Sequence, residues 1–216
     1  TKNKSMSTLR LGDLAPNFDT ETSLGNINFH QWLGNNWGIL FSHPADFTPV
    51  CTTELGTVAN YQPEFEKRGV KVIAVSVDGK QSHLEWIKDI EETQNVKVNY
   101  PIIADENRVV AELYDMIHPN ADDKLTVRSV FIIDPAKKIR LVLTYPASTG
   151  RNFDEIIRVV DSLQLVSQFP VATPANWKVG NDVIVANSIA SSEIEAKFNQ
   201  EFTEIKPYLR YTAQPK

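Results

Sequence analysis

The apolar positions change period several times along the chain. Residues 37–42 (WGILFS) form a short, unbroken, bulky run, which predicts a buried strand. After Cys51, Leu55, Val58, Ala59, Gln62 and Phe65 recur at helical spacing. That helix is expected to stop at Arg68-Gly69, a basic residue followed by glycine. Residues 71–77 (KVIAVSV) are apolar and rich in β-branched side chains, as a central parallel strand would be. Ser82 is expected to cap LEWIKDI, with Leu84, Ile87 and Ile90 on one face. Residues 100–104 (YPIIA) predict a strand and 107–114 a short helix. Two strands, 128–133 (RSVFII) and 139–144 (IRLVLT), are joined by the turn DPAKK. Asn152 and Glu155 make a variant capping box, opening a helix with Ile156, Val159, Val160 and Leu163 inward.

This alternation predicts an α/β layered sandwich with a mixed β-sheet. Near Phe169 the pattern changes: PVATPANWKVGND is irregular and proline-rich, NSIASSEIEAKF reads as one more helix, and YLRYT as a last strand. The expected organisation is a main domain over 9–168 and a C-terminal module over 169–216. The module looks too small to bury a core of its own, so it is expected to pack on the main domain or on a second subunit.

Composition narrows the function classes. The 216 residues carry a net charge of −5, without the basic surplus of a dedicated nucleic-acid binder. No apolar run approaches the roughly 20 residues of a membrane span. The opening TKNKSMSTLR lacks the apolar centre of a secretory signal, and Thr1 to Ser5 are set aside from fold reasoning. His30, His43, His83 and His118 show no metal-ligand spacing, so no metal site is expected. The single cysteine, Cys51, excludes an internal disulfide and fits a reducing compartment, with the cytoplasm as the expected location.

Cys51 carries the candidate chemistry. In FSHPADFTPVCTTELG (41–56), Pro49 suits a first helical position, Thr48 is the natural N-cap, and Cys51 falls at N3. Unbonded N–H groups and the positive end of the helix dipole favour thiolate there. Lowering a thiol from a pKa of about 8.5 to about 6 requires about 3 kcal/mol, whereas a helix N-terminus supplies about 0.3–1, up to about 2. A cationic side chain is therefore needed as well, and Arg128, opening an apolar strand, is the candidate. The residues alone leave two readings open: a reactive thiol, or a cysteine buried as a small hydrophobe.

The pattern Pro44-x-x-x-Thr48-x-x-Cys51 resembles the peroxiredoxins. SHPADFTPVCTTELG is similar to their one-cysteine subfamily, the peroxiredoxin six type. The likeness runs on through 145–165 (YPASTGRNFDEIIRVVDSLQL), PVATPANW and YLRYT, covering nearly the whole chain from Leu11. It implies a thioredoxin-like α/β domain with a mixed β-sheet and a small C-terminal extension. It further implies a homodimer, with the extension lying over the partner near its active site. By resemblance Cys51 is the peroxidatic nucleophile, which becomes a sulfenic acid on attacking a hydroperoxide. Thr48 matches the residue that orients the peroxide, and Arg128 the arginine that stabilises thiolate and developing charge. Pro44 matches the residue that shields the sulfur from water, and Glu54 the acid that steadies the arginine. Arg151 resembles a second arginine near the pocket, with a surface arginine before a helix cap as the alternative. His43 is adjacent to the motif, and a structural role is the alternative there. With no second cysteine, an external thiol such as glutathione or a thioredoxin-type protein must resolve the sulfenic acid, and no bound cofactor is implied.

The resemblance breaks at one place. Mammalian relatives also carry a phospholipase activity, assigned to a serine before the WGILF strand, an upstream histidine and an aspartate in the later turn. Here the serine position is Asn36, which is no hydroxyl nucleophile, and the aspartate position is Ala136. His30 remains, and Asp134 lies two residues before Ala136. No such activity is expected. The competing class is a non-enzymatic redox sensor or chaperone-like partner that uses oxidation of the same cysteine as its signal.

Overall fold

The run 37–42 lies inside a seven-stranded sheet. The computed structural model describes residues 8–216; the preceding TKNKSMS, on which part of the leader reading rests, lies outside the described residues. The backbone divides into two compact units, one ending at Phe153 and the other running from Asp154 to Lys216. In chain order the first holds β1 (Asp19–Thr22), β2 (Gly25–Asn28), α1 (Phe29–Leu33), β3 (Trp37–Ser42), α2 (Pro49–Asn60) and α3 (Gln62–Lys67). These are followed by β4 (Val70–Ser76), α4 (Lys80–Gln94), β5 (Ile102–Ala104), α5 (Val109–Leu113), β6 (Arg128–Ile133) and β7 (Ile139–Tyr145).

The sheet order is β2-β1-β5-β4-β3-β6-β7. The central β3, β4 and β5 are parallel, and the outer strands pair antiparallel, so the sheet is mixed as expected. Side-chain alternation splits the core. Leu40, Ile73, Val75, Ile103, Phe131 and Ile133 pack with Phe29, Leu33, Val110, Ala111 and Tyr114 of the α1/α5 side. Phe41 faces the opposite side, its ring 6.1 Å from Tyr100 and 6.2 Å from Phe153. Tyr100 donates its hydroxyl proton to the Leu55 carbonyl of α2 at 2.7 Å. Helices therefore cover both faces of this sheet. α2 also packs against α4, and a Cβ on Gly56 would sit 2.4 Å from Gln94 Cγ, so a larger residue there would displace that side chain.

Several local expectations are corrected. The single helix expected from the Cys51 region to Arg68 breaks at Tyr61, because Pro63 has no N–H to offer the preceding turn and sits in the first turn of α3 instead. Ser82 does not cap α4, which starts at Lys80 with Gly79 as N-cap. The buried stripe of α4 is His83, Trp86 and Ile90, and Leu84 is exposed. The large indole takes the core, and the polar His83 is buried because partners await it. The β1–β2 hairpin was not legible, since DTET and GNIN carry almost no apolar alternation.

The second unit contains α6 (Phe153–Gln168) from Asp154 on, β8 (Val171–Ala172), β9 (Val183–Val185), α7 (Ile194–Phe198), β10 (Phe202–Lys206) and β11 (Leu209–Thr212). Its four strands form a separate antiparallel sheet, β10-β11-β9-β8. Leu165, Val171, Trp177 and Val183 make a buried cluster with Phe169 and Phe198, so this unit does possess apolar packing of its own. Leu165 of α6 joins this cluster to the helix that precedes β8.

Candidate active site

β3 ends at Ser42, and residues 43–48 cross to α2. Thr48 is the N-cap in extended conformation (φ −127°), Pro49 takes N1 and Cys51 takes N3, as the spacing predicts. The Thr48 hydroxyl does not cap the helix. It donates to the Ala45 carbonyl at 2.6 Å. Its one proton is committed there, and the oxygen keeps its capacity to accept a hydrogen bond. Pro44 is buried in the same segment.

Cys51 is fully buried. Antiparallel pairing of β3 with β6 puts Arg128, the first residue of β6, beside the exit of β3. Arg128 Nη1 donates to Cys51 Sγ at 3.1 Å and to Glu54 Oε1 at 2.6 Å. Its Nε and Nη2 both donate to the Ala147 carbonyl, at 2.9 and 2.6 Å. This is the cation that the thiol was expected to need.

Glu54, three residues beyond Cys51 on α2, lies between two guanidiniums. Arg151 donates to Glu54 Oε2 from its backbone N (2.9 Å) and Nε (2.6 Å), and to Oε1 from Nη2 (2.9 Å). The remaining Arg151 Nη1 donates to the Ser129 carbonyl at 2.7 Å. The Arg151 guanidinium carbon stands 5.4 Å from the Phe41 ring centre and 5.9 Å from that of Phe153. Burial alone would raise the Glu54 pKa, but hydrogen bonds and charge from Arg151, with the charge of Arg128, outweigh it and hold the carboxyl below its ordinary value. Two cations and one carboxylate leave one uncompensated positive charge, and Cys51 Sγ is the further ionisable group bonded to it. Arg151 is thus a buried member of the cluster and not a surface arginine.

His43 is fully buried but belongs to a second cluster. Its Nε2 meets Asp46 Oδ1 at 2.8 Å, and its Nδ1 has no hydrogen-bond partner among the described residues. Burial lowers the His43 pKa against the pull of Asp46. Asp46 Oδ2 receives His83 Nδ1 at 2.5 Å and Ser82 Oγ at 2.9 Å. Burial opposes ionisation of Asp46, but hydrogen bonds from both histidines hold its carboxyl far below the usual carboxylate range. His83 Nε2 meets the Ile103 carbonyl at 2.9 Å, so both ring nitrogens of His83 have oxygen partners. Donor atoms of His43, Asp46 and Asp78 approach within 4.8 Å of one another. Those of Asp46 and Asp78 already accept hydrogen bonds, the latter from Ser76 Oγ (2.6 Å) and the Asp46 backbone N (2.9 Å). Sequence reasoning missed Asp46, Ser82 and His83. The legible signal was an acid inside the motif and a histidine in phase with the buried face of a helix.

The residues near the positions of that lost lipase element are bound locally. Asn36 Nδ2 donates to the Leu33 carbonyl at 3.0 Å, His30 Nε2 meets the Ala15 carbonyl at 2.7 Å, and Asp134 Oδ1 accepts the Lys138 N–H at 2.9 Å.

Residues 11–142 match the model of the AhpC/TSA family, and 162–200 match the C-terminal domain of 1-Cys peroxiredoxin. A 1-Cys peroxiredoxin of Dictyostelium discoideum is 56% identical over 96% of this chain and 86% of its own length. Peroxiredoxin-6 of Mus musculus is 54% identical over 96% of this chain and 98% of its own. The solved structure of a yeast mitochondrial 1-Cys peroxiredoxin, described with thiol resolution by the glutathione and thioredoxin systems, superposes with a TM-score of 0.90. It is 52% identical and covers 95% of this chain and 100% of that one. Helices on both faces of a mixed sheet, joined to a small C-terminal unit, are accordingly the thioredoxin-like architecture of these relatives. With its one thiol bonded to a buried guanidinium, this chain belongs to the one-cysteine peroxiredoxins, thiol-dependent peroxidases.

Proposed function

We propose that Cys51 is the nucleophile of the peroxidase reaction and that the surrounding residues divide the work as follows. The Sγ anion attacks one oxygen of a hydrogen or organic hydroperoxide. An S–O bond forms, the O–O bond breaks, sulfur is oxidised by two electrons to sulfenic acid, and the departing oxygen takes a proton and leaves as water or alcohol. Arg128 holds the anionic sulfur and meets the charge that develops on the breaking bond. The Thr48 oxygen accepts the proton of the peroxide O–H, which holds that hydroxyl-bearing oxygen in place for attack by sulfur while the other oxygen departs. Pro44 keeps water from the sulfur. Glu54 and Arg151 act through Arg128, fixing its fork so that one Nη1 proton is left for sulfur. The single observation that carries this reading is the Arg128 Nη1 contact with Sγ at 3.1 Å. Stopped-flow peroxide reduction tests it: the wild-type protein should consume one peroxide per thiol rapidly, and Cys51→Ser should not. Equal rates for the two proteins would end the assignment.

An external thiol completes the cycle: its sulfur displaces hydroxide from the sulfenic acid, water leaves with the thiol proton, and a second thiol releases Cys51 by exchange. Since Sγ is fully buried, the first turn of α2 must open for this step. Glutathione or a thioredoxin-type protein is the proposed reductant, as for the yeast relative, and the two are separated by which one restores turnover after a single oxidation. The side chains carry the chemistry, so no metal or prosthetic group is proposed, and with Asn36 at the serine position no ester hydrolysis. The proposed location is the cytoplasm, checked by fractionation against the mitochondrial placement of the yeast relative. A homodimer is proposed because β7 is an edge strand with half-buried Leu141, Val142 and Leu143, and sedimentation of the purified protein measures it.

A further inference from the structure

We propose that Asp46 is a positioning residue for peroxide attack: clamped by His83, Ser82 and His43, it sets the conformation of residues 43–48 and so the placement of Pro44 and Thr48 over Cys51. The inference rests on the assignment of Cys51, Thr48 and Pro44 above, and adds four residues that touch neither sulfur nor substrate.

Four observations converge. Asp46 lies between the two loop residues that face the substrate, and it is 6% exposed. Its carboxylate takes three donors, His43 Nε2, His83 Nδ1 and Ser82 Oγ, at 2.8, 2.5 and 2.9 Å, and its backbone N donates to Asp78 at 2.9 Å. Two of the three donors come from α4, and Asp78 directly precedes that helix, so a separate element holds the loop. The next residue, Phe47, sits at φ +56° with a 53% exposed side chain. A bulky residue in the left-handed region persists only where its surroundings impose it, and an exposed ring imposes little. The constraint comes from the fixed residue before it. Finally, the Thr48 hydroxyl is oriented by the Ala45 carbonyl, one residue before Asp46, so its aim follows the clamp.

Stability gives a poor account of this cluster. Apolar packing commonly replaces a buried ionic group at no loss, whereas a carboxylate with three fixed donors specifies one geometry. His43 and Thr126 tie the start of the segment down as well: His43 N donates to the Val75 carbonyl at 3.0 Å, and Thr126 Oγ1 to the His43 carbonyl at 2.6 Å. The loop is thus held at both His43 and Asp46, which are bonded to each other, with Pro44 between the two holds and Thr48 just beyond the second.

The test compares two reactions of the same sulfur. Peroxide reduction needs the loop in place over the sulfur, whereas alkylation by monobromobimane needs the buried thiolate to be exposed by opening, which loosening the loop does not hinder. Asp46→Asn should slow peroxide reduction by about 30-fold or more, the scale of a small misplacement of reacting groups, while alkylation is as fast as in wild type or faster. His83→Gln should slow it by about tenfold and Ser82→Ala by about threefold, again with alkylation preserved. Near-ultraviolet circular dichroism reports folding; should Asp46→Asn fail to fold, His83→Gln and the mild Ser82→Ala decide. Peroxide and alkylation rates falling in parallel, or all folded variants matching wild type, overturns the proposal. A wild-type protein whose peroxide consumption does not depend on Cys51 would instead sink the underlying assignment.

Discussion

Two buried carboxylates flank the sulfur in sequence, Asp46 five residues before it and Glu54 three after, and each lies between two nitrogenous side chains. Glu54 has two guanidiniums, and Asp46 has two imidazoles. Arginine donates only, keeps its charge at any working pH and offers five protons in a rigid fork. After both arginines have satisfied Glu54 and nearby carbonyls, an Arg128 proton still reaches Sγ. Imidazole carries two sites that change role with its proton count. The Asp46 cluster makes no hydrogen bond to the sulfur among the described residues. The side chain that reaches the sulfur is an arginine, and the two rings that meet the loop carboxylate are histidines.

The largest expected effect comes from removing the shared proton donor. Arg128→Met should slow sulfenic acid formation by about 10²–10³-fold, as loss of a preorganised donor does elsewhere. Arg128→Lys should recover only a small part, because one ammonium cannot span sulfur, Glu54 and the Ala147 carbonyl with the same planar geometry. Both are read as second-order rates with hydrogen peroxide. If lysine restored the full rate, the sulfur would need a point charge and not the fork.

Glu54→Gln should lower stability by about 3 kcal/mol, because it leaves two buried guanidiniums facing a neutral amide, and chemical denaturation measures it. The contact of Arg128 with sulfur should loosen too, with about a tenfold loss of peroxide rate. Thr48→Val removes the acceptor without removing the anion. It should cost about tenfold with peroxide and leave alkylation of Cys51 unchanged.

The smallest effect distinguishes the clusters by acid. His43 has a lowered pKa when folded, so the unfolded chain binds more protons and stability falls as pH drops below the free imidazole value of about 6.5. Glu54 and Asp46 are lowered carboxylates, whose contribution is present above about pH 4 and is lost only as pH falls through their folded values. Melting temperature should decline gently from about pH 6.5 to 5 and steeply below about 4. His43→Gln should flatten the upper limb alone.

The sequence determined the elements that come from local periodicity and backbone chemistry. WGILFS and RSVFII became the buried strands β3 and β6, and IRLVLT, with Arg140 inside its apolar run, became the half-buried edge strand β7, because short apolar runs between turns suit a sheet. Thr48-Pro49 started α2 because proline's missing N–H does no harm there, and so Cys51 stands at N3. The motif around it was readable by resemblance. Tertiary structure alone decided which partners meet. Arg128 is 77 residues from Cys51 and Arg151 is 97 from Glu54, and β-pairing with the turn after β7 brings them together. A surface or a buried place for Arg151 could not be told from its neighbours in the chain. The α4 stripe shifted by one residue, from Leu84 to His83, because a buried polar ring is stable only where partners exist, and those partners, Asp46 and the Ile103 carbonyl, come from distant segments.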